Sequence, residues 1–320
     1  MLRGLILIAL TLALGSGGAS ARNVGGTPVA FVSVERASQL VAVDLTTQHV
    51  IGRVRVPEGP HNVAAYEVDG SFVLVTSPPA GAVTLVDARA LEVVKVWRGF
   101  GYPHDVEVEG VLAYVTDETR GQLVVIDLRT RRVKSRIAVG PRPHDVAVGD
   151  VALVTHDSDH TELTVVELSG SRGRKLLELD VGGPAHDISK QPDSANAYVT
   201  YWGSGSVGAI DWGRGRVLWR RKVGTLIHHV AFDYFNGRRL WVTDHAAGRV
   251  LLLLSRKGRV VRTLEGCPGA HHVAFGGTAW VAAACHDADA LAVWDTRSWR
   301  RVLVPVGNGP HGVAVAVPLP

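Results

Sequence analysis

Seven histidines recur along this chain, His61, His104, His144, His186, His228, His271 and His311, each standing just ahead of a short apolar run. The steps between them are 43, 40, 42, 42, 43 and 40 residues. Self-similarity at that period is the mark of a solenoid, a propeller or an array. Aligned on the histidine, each repeat reads as four short strands. In the second full repeat they are 104–108, 112–116, 122–127 and 133–139, separated by Gly110, by Glu118-Thr119-Arg120-Gly121 and by an Arg-rich turn. Apolar residues alternate or run in short β-branched blocks, and helical i, i+3, i+4 spacing is missing, so the chain is all-β.

Four-stranded units of about 42 residues closed in a circle make a β-propeller. The chain ends indicate how the circle closes. Residues 29–34, 39–44 and 50–56 supply only three strands, with no histidine-marked strand before them, whereas 311–317 is such a strand with nothing after it. The C-terminal strand is therefore expected to enter the first blade as its innermost strand. The expected architecture is a seven-bladed β-propeller in which no sheet edge inside the ring is left open.

Residues 1–21 read as a signal peptide: Arg3, an apolar run from Leu5 to Leu14, and Ala19-Ser20-Ala21 ahead of the cleavage point. The apolar run is too short to span a membrane, and no later stretch reaches the roughly 20 apolar residues a span needs. The expected product is a single propeller over 22–320, periplasmic or secreted. The net charge of +4 comes from scattered Lys and Arg, without the dense basic clustering and interleaved aromatics of a nucleic-acid surface. Cys267 and Cys285 are the only cysteines. They flank a predicted hairpin turning at Gly276-Gly277, and two readings stay open: a structural disulfide, favoured by an oxidising compartment, or thiolate metal ligands.

Several repeats carry a recognisable second-strand motif: Tyr114-Val115-Thr116-Asp117, Tyr198-Val199-Thr200-Tyr201 and Trp241-Val242-Thr243-Asp244, with weaker copies at Val75-Thr76-Ser77 and Val154-Thr155-His156. A Pro-His-x-Val start occurs at Pro60, Pro103, Pro143 and Pro310. In these features the chain resembles the YncE-like (YVTN-repeat) family of seven-bladed propellers, a resemblance that implies fold and not activity, because propellers host many functions. More distantly it resembles the d1-haem propellers of the cytochrome cd1 and NirF type, where a tetrapyrrole sits over the channel. It is also similar in plan to the propeller of nitrous oxide reductase, where histidines hold a copper cluster. The chain has no CxxCH motif and no cupredoxin-like tail, so it is not a self-contained copy of either reductase.

The innermost strand begins, and the second strand ends, on one face of the disc. Two rings are expected around that mouth. One contains the seven histidines with the residues after them, Asn62, Asp105, Asp145, Asp187, His229, His272 and Gly312; the other contains Glu35, Ser77, Asp117, His156, Tyr201 with Trp202, Asp244 with His245, and Cys285 with His286. Two roles compete for the seven histidines. Strand alternation puts His104 on the side of Val106 and Val108, which favours packing between blades; convergence of seven imidazoles favours a ligand site. No ion takes seven histidines, so a subset would ligate while others donate hydrogen bonds, and crowding keeps imidazoles neutral, the metal-binding form.

Symmetry breaks choose the sector. Asp follows the histidine in three consecutive blades, and a second histidine follows it in the next two. The expected metal set is therefore His228, His229, His245, His271, His272 and His286. The expected tetrapyrrole contacts are His61, His104, His144, His186, Trp202 and His311. The acidic sector is expected either to orient imidazoles, to hold a cationic group, or to be solvated. His156, Asp157, Asp159 and His160 read as a polar loop or a local metal site. No GxSxG, P-loop, HExxH or dinucleotide-binding motif is present. The expected function is binding of copper or iron, or of a haem-like tetrapyrrole, at the channel mouth, with d1-type haem biosynthesis or redox chemistry as its setting. The competing function is a non-catalytic platform for another periplasmic protein.

Overall fold

The computed structural model describes residues 26–67, 71–157 and 160–317. The expected signal peptide and Asp159 lie outside the described residues. Seven four-stranded antiparallel sheets form the ring, and the sheet of the first blade is made by Val29–Val34, Gln39–Asp44, His49–Arg55 and the C-terminal strand Pro310–Ala316. That last strand pairs antiparallel with the first, Ala30 opposite Val315 and Val32 opposite Val313, so the expected closure is present. Blades 2 to 7 follow in chain order and begin with the inner strands Val63–Tyr66, Pro103–Glu109, Pro143–Val148, Ala185–Lys190, Ile227–Asp233 and Ala270–Gly276. Among the described residues no helix is long and apolar enough to cross a membrane.

Burial follows from strand position within each blade. Second and third strands are covered on both faces by neighbouring blades and read as continuous apolar runs, such as Leu123, Val124, Val125 and Ile126, all fully buried. Outer strands alternate, as in Arg132–Ala138, where Ile137 faces inward and Arg136 is turned to solvent.

The inner strand carries a feature that no alternation argument anticipates. In blade 3, Pro103 pairs with Asp117 and Val106 with Val115, so His104 and Asp105 together face the single residue Thr116. The same two-against-one bulge falls on 144–145, 186–187, 228–229 and 271–272. A β-bulge re-aims side chains and interrupts the ladder. Here the threonine hydroxyl fills the interruption: Thr116 Oγ1 accepts the Asp105 N–H at 2.9 Å and donates to the His144 carbonyl of the next blade at 2.8 Å. Thr76, Thr155 and Thr200 make the same donation to the carbonyls of His104, His186 and His228. The Val-Thr motif is thus a staple between blades that fixes the histidine backbone.

The residue after that threonine ties down the loop leading into its own blade, through a carboxylate in two blades and through other chemistry elsewhere. Asp117 accepts the N–H groups of Gly101 and Tyr102, Asp244 those of Thr225 and Leu226, and the Tyr201 hydroxyl donates to the Val181 carbonyl. In blade 7 the position is Cys285, which forms a disulfide with Cys267. Closing a loop of 18 residues stabilises by about 3 kcal/mol in the chain-entropy model. Both sulfurs are consumed and buried, so the thiolate-ligand reading is set aside.

Candidate functional site

The bulge turns the seven imidazoles toward the axis, where they close into a ring. Successive centroids lie 4.5 Å apart for His61 and His104, 3.8 Å for His104 and His144, 4.4 Å for His144 and His186, and 4.8 Å for His186 and His228. The circle continues at 4.0 Å for His228 and His271, 4.0 Å for His271 and His311, and 3.6 Å for His311 and His61. Beneath the rings lies a chamber of about 190 Å³, with Asn62, Asp145, Asp187 and His272 in its wall. Further along the same strands a second chamber of about 660 Å³ is lined by Glu107, Lys190, Tyr234, His229 and His272 among others.

This layering corrects the expectation of two rings at one mouth. Residues following the histidines lie deeper and brace the next blade: Asp105 Oδ2 accepts the Val146 N–H at 3.1 Å, Asp145 the Ile188 N–H at 2.8 Å, and Asp187 the Val230 N–H at 3.0 Å. These aspartates are buried, so the solvated reading fails. Of the expected second ring, Ser77, Asp117, His156, Tyr201, Asp244 and Cys285 are turned into their blades. His156 is fully used, with Nδ1 on the Pro141 carbonyl at 2.6 Å and Nε2 on Thr164 Oγ1 at 2.8 Å. That leaves no free nitrogen for the local metal site considered at 156–160.

The mouth is rimmed by the next residue along, and four of these residues, Glu35, Trp202, His245 and His286, belong to the expected second ring. Glu35, Glu118 and His286 each open a single 3-10 turn closed by a left-handed residue, Ser38, Gly121 and Asp289. Trp202 is 46% exposed yet stacks on His186, with centroids 4.5 Å apart at 16°. His245 and His286 stand 4.9 and 5.4 Å from His271. Glu118 is the candidate rim residue that motif reading missed; its signal was alignment with Trp202, His245 and His286, one place after the Thr-x pair.

The expected metal sector divides in two. His228 and His271 join His311, a residue expected among the tetrapyrrole contacts, in a group whose ligand atoms all lie within 4.8 Å; His229 and His272 form a lower group with Asp187. Three further contacts touch the ring: Glu118 with His104 and His144, and Glu35 with His61.

Hydrogen bonding divides the ring as well. His104 Nδ1 donates to the His144 carbonyl at 3.0 Å, and His144 contacts Glu118 through Nδ1 and His186 through Nε2. In contrast, the buried Nδ1 atoms of His228, His271 and His311, and that of His245 at the rim, have no hydrogen-bond partner among the described residues. An unsatisfied buried polar atom costs about 1–3 kcal/mol, so one arc of the ring stores unused ligand capacity.

Burial, followed by the neighbouring imidazoles, holds the ring histidines in the neutral form. His104 is lowered to about 3 by burial and by His144, and His186 to about 4 by burial; His61, His228, His271 and His311 are lowered well below the usual range. A histidine with a depressed folded pKa contributes stability that is complete above its unfolded value near 6.5 and is lost as pH falls toward the folded one. Buried Glu107, raised to about 8 chiefly by burial, works oppositely, its contribution fading from the ordinary carboxylate range up to pH 8. The histidines outnumber such acids. Unfolding midpoints measured from pH 7 down to pH 4 are expected to fall steadily, with net proton uptake on unfolding; a flat profile would show the imidazoles to be freely protonated.

No protein-family model matches the chain, and no curated protein matches it. Solved structures do. A protein of unknown function from Desulfotomaculum acetoxidans superposes with a TM-score of 0.76 at 16% identity, over 91% of this chain and 99% of that one. Apo AztD from Citrobacter koseri gives 0.69 at 11%, over 91% and 98%. The dihydro-haem d1 dehydrogenase NirN, solved in complex with DHE, gives 0.66 at 18%, over 89% of this chain and 74% of that one. At such identities the likeness establishes one thing, the seven-bladed β-propeller fold.

Proposed function

We propose that this protein binds a transition-metal ion, copper foremost, on the unpartnered arc of its histidine ring, with His228, His271 and His311 as ligands. The observation that carries this reading is the set of buried Nδ1 atoms with no partner beside three imidazoles whose ligand atoms converge within 4.8 Å. Neutral imidazole suits copper, zinc, iron and nickel, and affinity among divalent first-row ions peaks at copper. His61 and His245 stand close enough to complete or flank the set. Export to an oxidising compartment fits the disulfide and the N-terminal apolar segment.

A second reading, a metallated tetrapyrrole, is favoured by one observation, the exposed Trp202 stacked on His186. The chamber of about 190 Å³ is too small to enclose a macrocycle, so this ligand would lie across the mouth against Trp202. The fold shared with NirN supports that alternative only as analogy.

The test is direct. Protein purified from its own host and lacking residues 1–21 is analysed for Cu, Fe and Zn, its visible spectrum is recorded, and metal-free protein is titrated with copper and separately with haem. Copper is expected to bind with a Kd of about 1 μM or tighter, which is about −8 kcal/mol. Tight haem binding with no copper binding would favour the second reading. Metal-free protein that binds neither would sink both.

A further inference from the structure

We propose a second metal site on the opposite arc of the ring, made by His104, His144 and Glu118, for a divalent ion of the ferrous or cobaltous kind. It is separate from the three-histidine group and does not depend on it. One ligand atom from each residue lies within 4.8 Å of the others. Glu118 Oε1 is 2.9 Å from His144 Nδ1 and 4.0 Å from His104 Nε2. Donors sharing one ion at bonds of about 2.0–2.2 Å sit roughly 3 Å apart when adjacent, so Glu118 and His144 are already spaced for a common ion and His104 lies about 1 Å further off.

The remaining ring nitrogens distinguish this arc. Metal-bound histidines donate their other N–H to a carbonyl, carboxylate or similar acceptor, which fixes the tautomer. His104 does so, because its Nδ1 donates to the His144 carbonyl at 3.0 Å, leaving the Nε2 lone pair toward Glu118. His144 has an acceptor too, His186 Nε2 at 3.2 Å from its own Nε2. Without a cation, the His144 proton rests on Nδ1 and is donated to Glu118. With one, that proton shifts to Nε2 and is donated to His186, so no proton is gained or lost by His144. The three-histidine group has no such partners for Nδ1, so the two arcs present different ligand chemistry.

Two imidazoles and one carboxylate leave several coordination positions open, the arrangement of non-haem ferrous centres, and the carboxylate makes the set harder than an all-imidazole one. The open side faces a groove of about 940 Å³ where blades 3 and 4 meet, with Tyr102 and Arg142 in its walls. Among the equivalent rim positions Pro78, Trp202, His245 and His286 carry no carboxylate, whereas Glu35 and Asp157 do; Glu118 stands closer to the ring, 2.9 Å from His144 against 3.7 Å between Glu35 and His61.

Equilibrium dialysis of the protein lacking residues 1–21 against Co(II), with elemental analysis, tests the assignment. The wild type is expected to retain two ions per chain. Glu118→Gln is expected to retain one, and Glu118→Asp to recover part of the lost site. The pair His228→Ala and His271→Ala is expected to retain the Glu118 site. If Glu118→Gln binds as the wild type does while the double variant loses an ion, this proposal is overturned and the three-histidine reading stands. If only Glu118→Gln loses an ion, the three-histidine reading falls instead. Unchanged circular dichroism of Glu118→Gln, whose side chain sits at the rim, separates lost ligation from lost folding.

Discussion

Replacing His228 and His271 together with leucine is expected to abolish copper binding at the three-histidine group while leaving the metal-free protein at least as stable as the wild type. The two imidazoles contribute buried Nδ1 atoms without partners, each an unfavourable contribution of about 1–3 kcal/mol. Leucine removes that contribution and adds apolar surface beside a chamber with room for it, about 190 Å³. In a chain of this length 1 kcal/mol moves the melting midpoint by about 2 °C, so a rise of a few degrees is expected. The wild type gains stability from the ion instead: at a free concentration a hundred times the Kd, binding adds about 2.7 kcal/mol. The signature is therefore crossed. Copper raises the wild-type midpoint by more than it raises that of the variant. If the histidines are packing residues, the variant loses stability in the absence of metal, and a drop of more than about 5 °C would decide for that role.

Fold and site were legible in the sequence to different degrees, for physical reasons. Blade number and strand order could be read because each strand pairs with its sequence neighbour, and the repeat prints its period directly. The expected strand 122–127 is the observed Gln122–Asp127, and the closing strand lies within one residue of its expected bounds. Side-chain direction was not legible. The bulge at His104-Asp105 inserts one residue into the alternation, so a rule with period two assigned His104 to the Val106 side, while its place at the strand start put Asp105 at the mouth. Thr116 was visible as motif, but its role as a staple depends on the next blade, 28 residues away. Glu118 was hidden for the opposite reason: it looked like ordinary turn chemistry, and only the packing of blade 3 against blade 4 brings it against His144. The cysteine pairing stayed open because the two readings have the same spacing and differ only in where the sulfurs point.

Deleting residues 310–320 is expected to cost the protein its native state, whereas moving the same strand to the front of the chain is expected to leave it folded. Pro310–Ala316 is the inner strand of blade 1, and its removal bares the edge of Val29–Val34, six residues that are all buried. An exposed apolar edge strand pairs with other chains. The loss also takes away Val313, packed in the core shared by blades 7 and 1, whose burial contributes about 1.5–3 kcal/mol, and it opens the seam that holds the ring closed. His311 leaves with it, so both the three-histidine group and its contact with His61 disappear. The expected outcome is aggregation, or a monomer without a cooperative melt. Connectivity itself should not matter. Ala316 lies directly opposite Val29 in the antiparallel ladder, so a short turn can join residue 317 to residue 27, with new termini between Gly307 and Asn308. That permutant keeps every pairing and is expected to melt cooperatively and bind copper as the wild type does. A deletion variant that stays monomeric with a wild-type melt would mean that closure contributes little, and that the ring holds without the inner strand of blade 1.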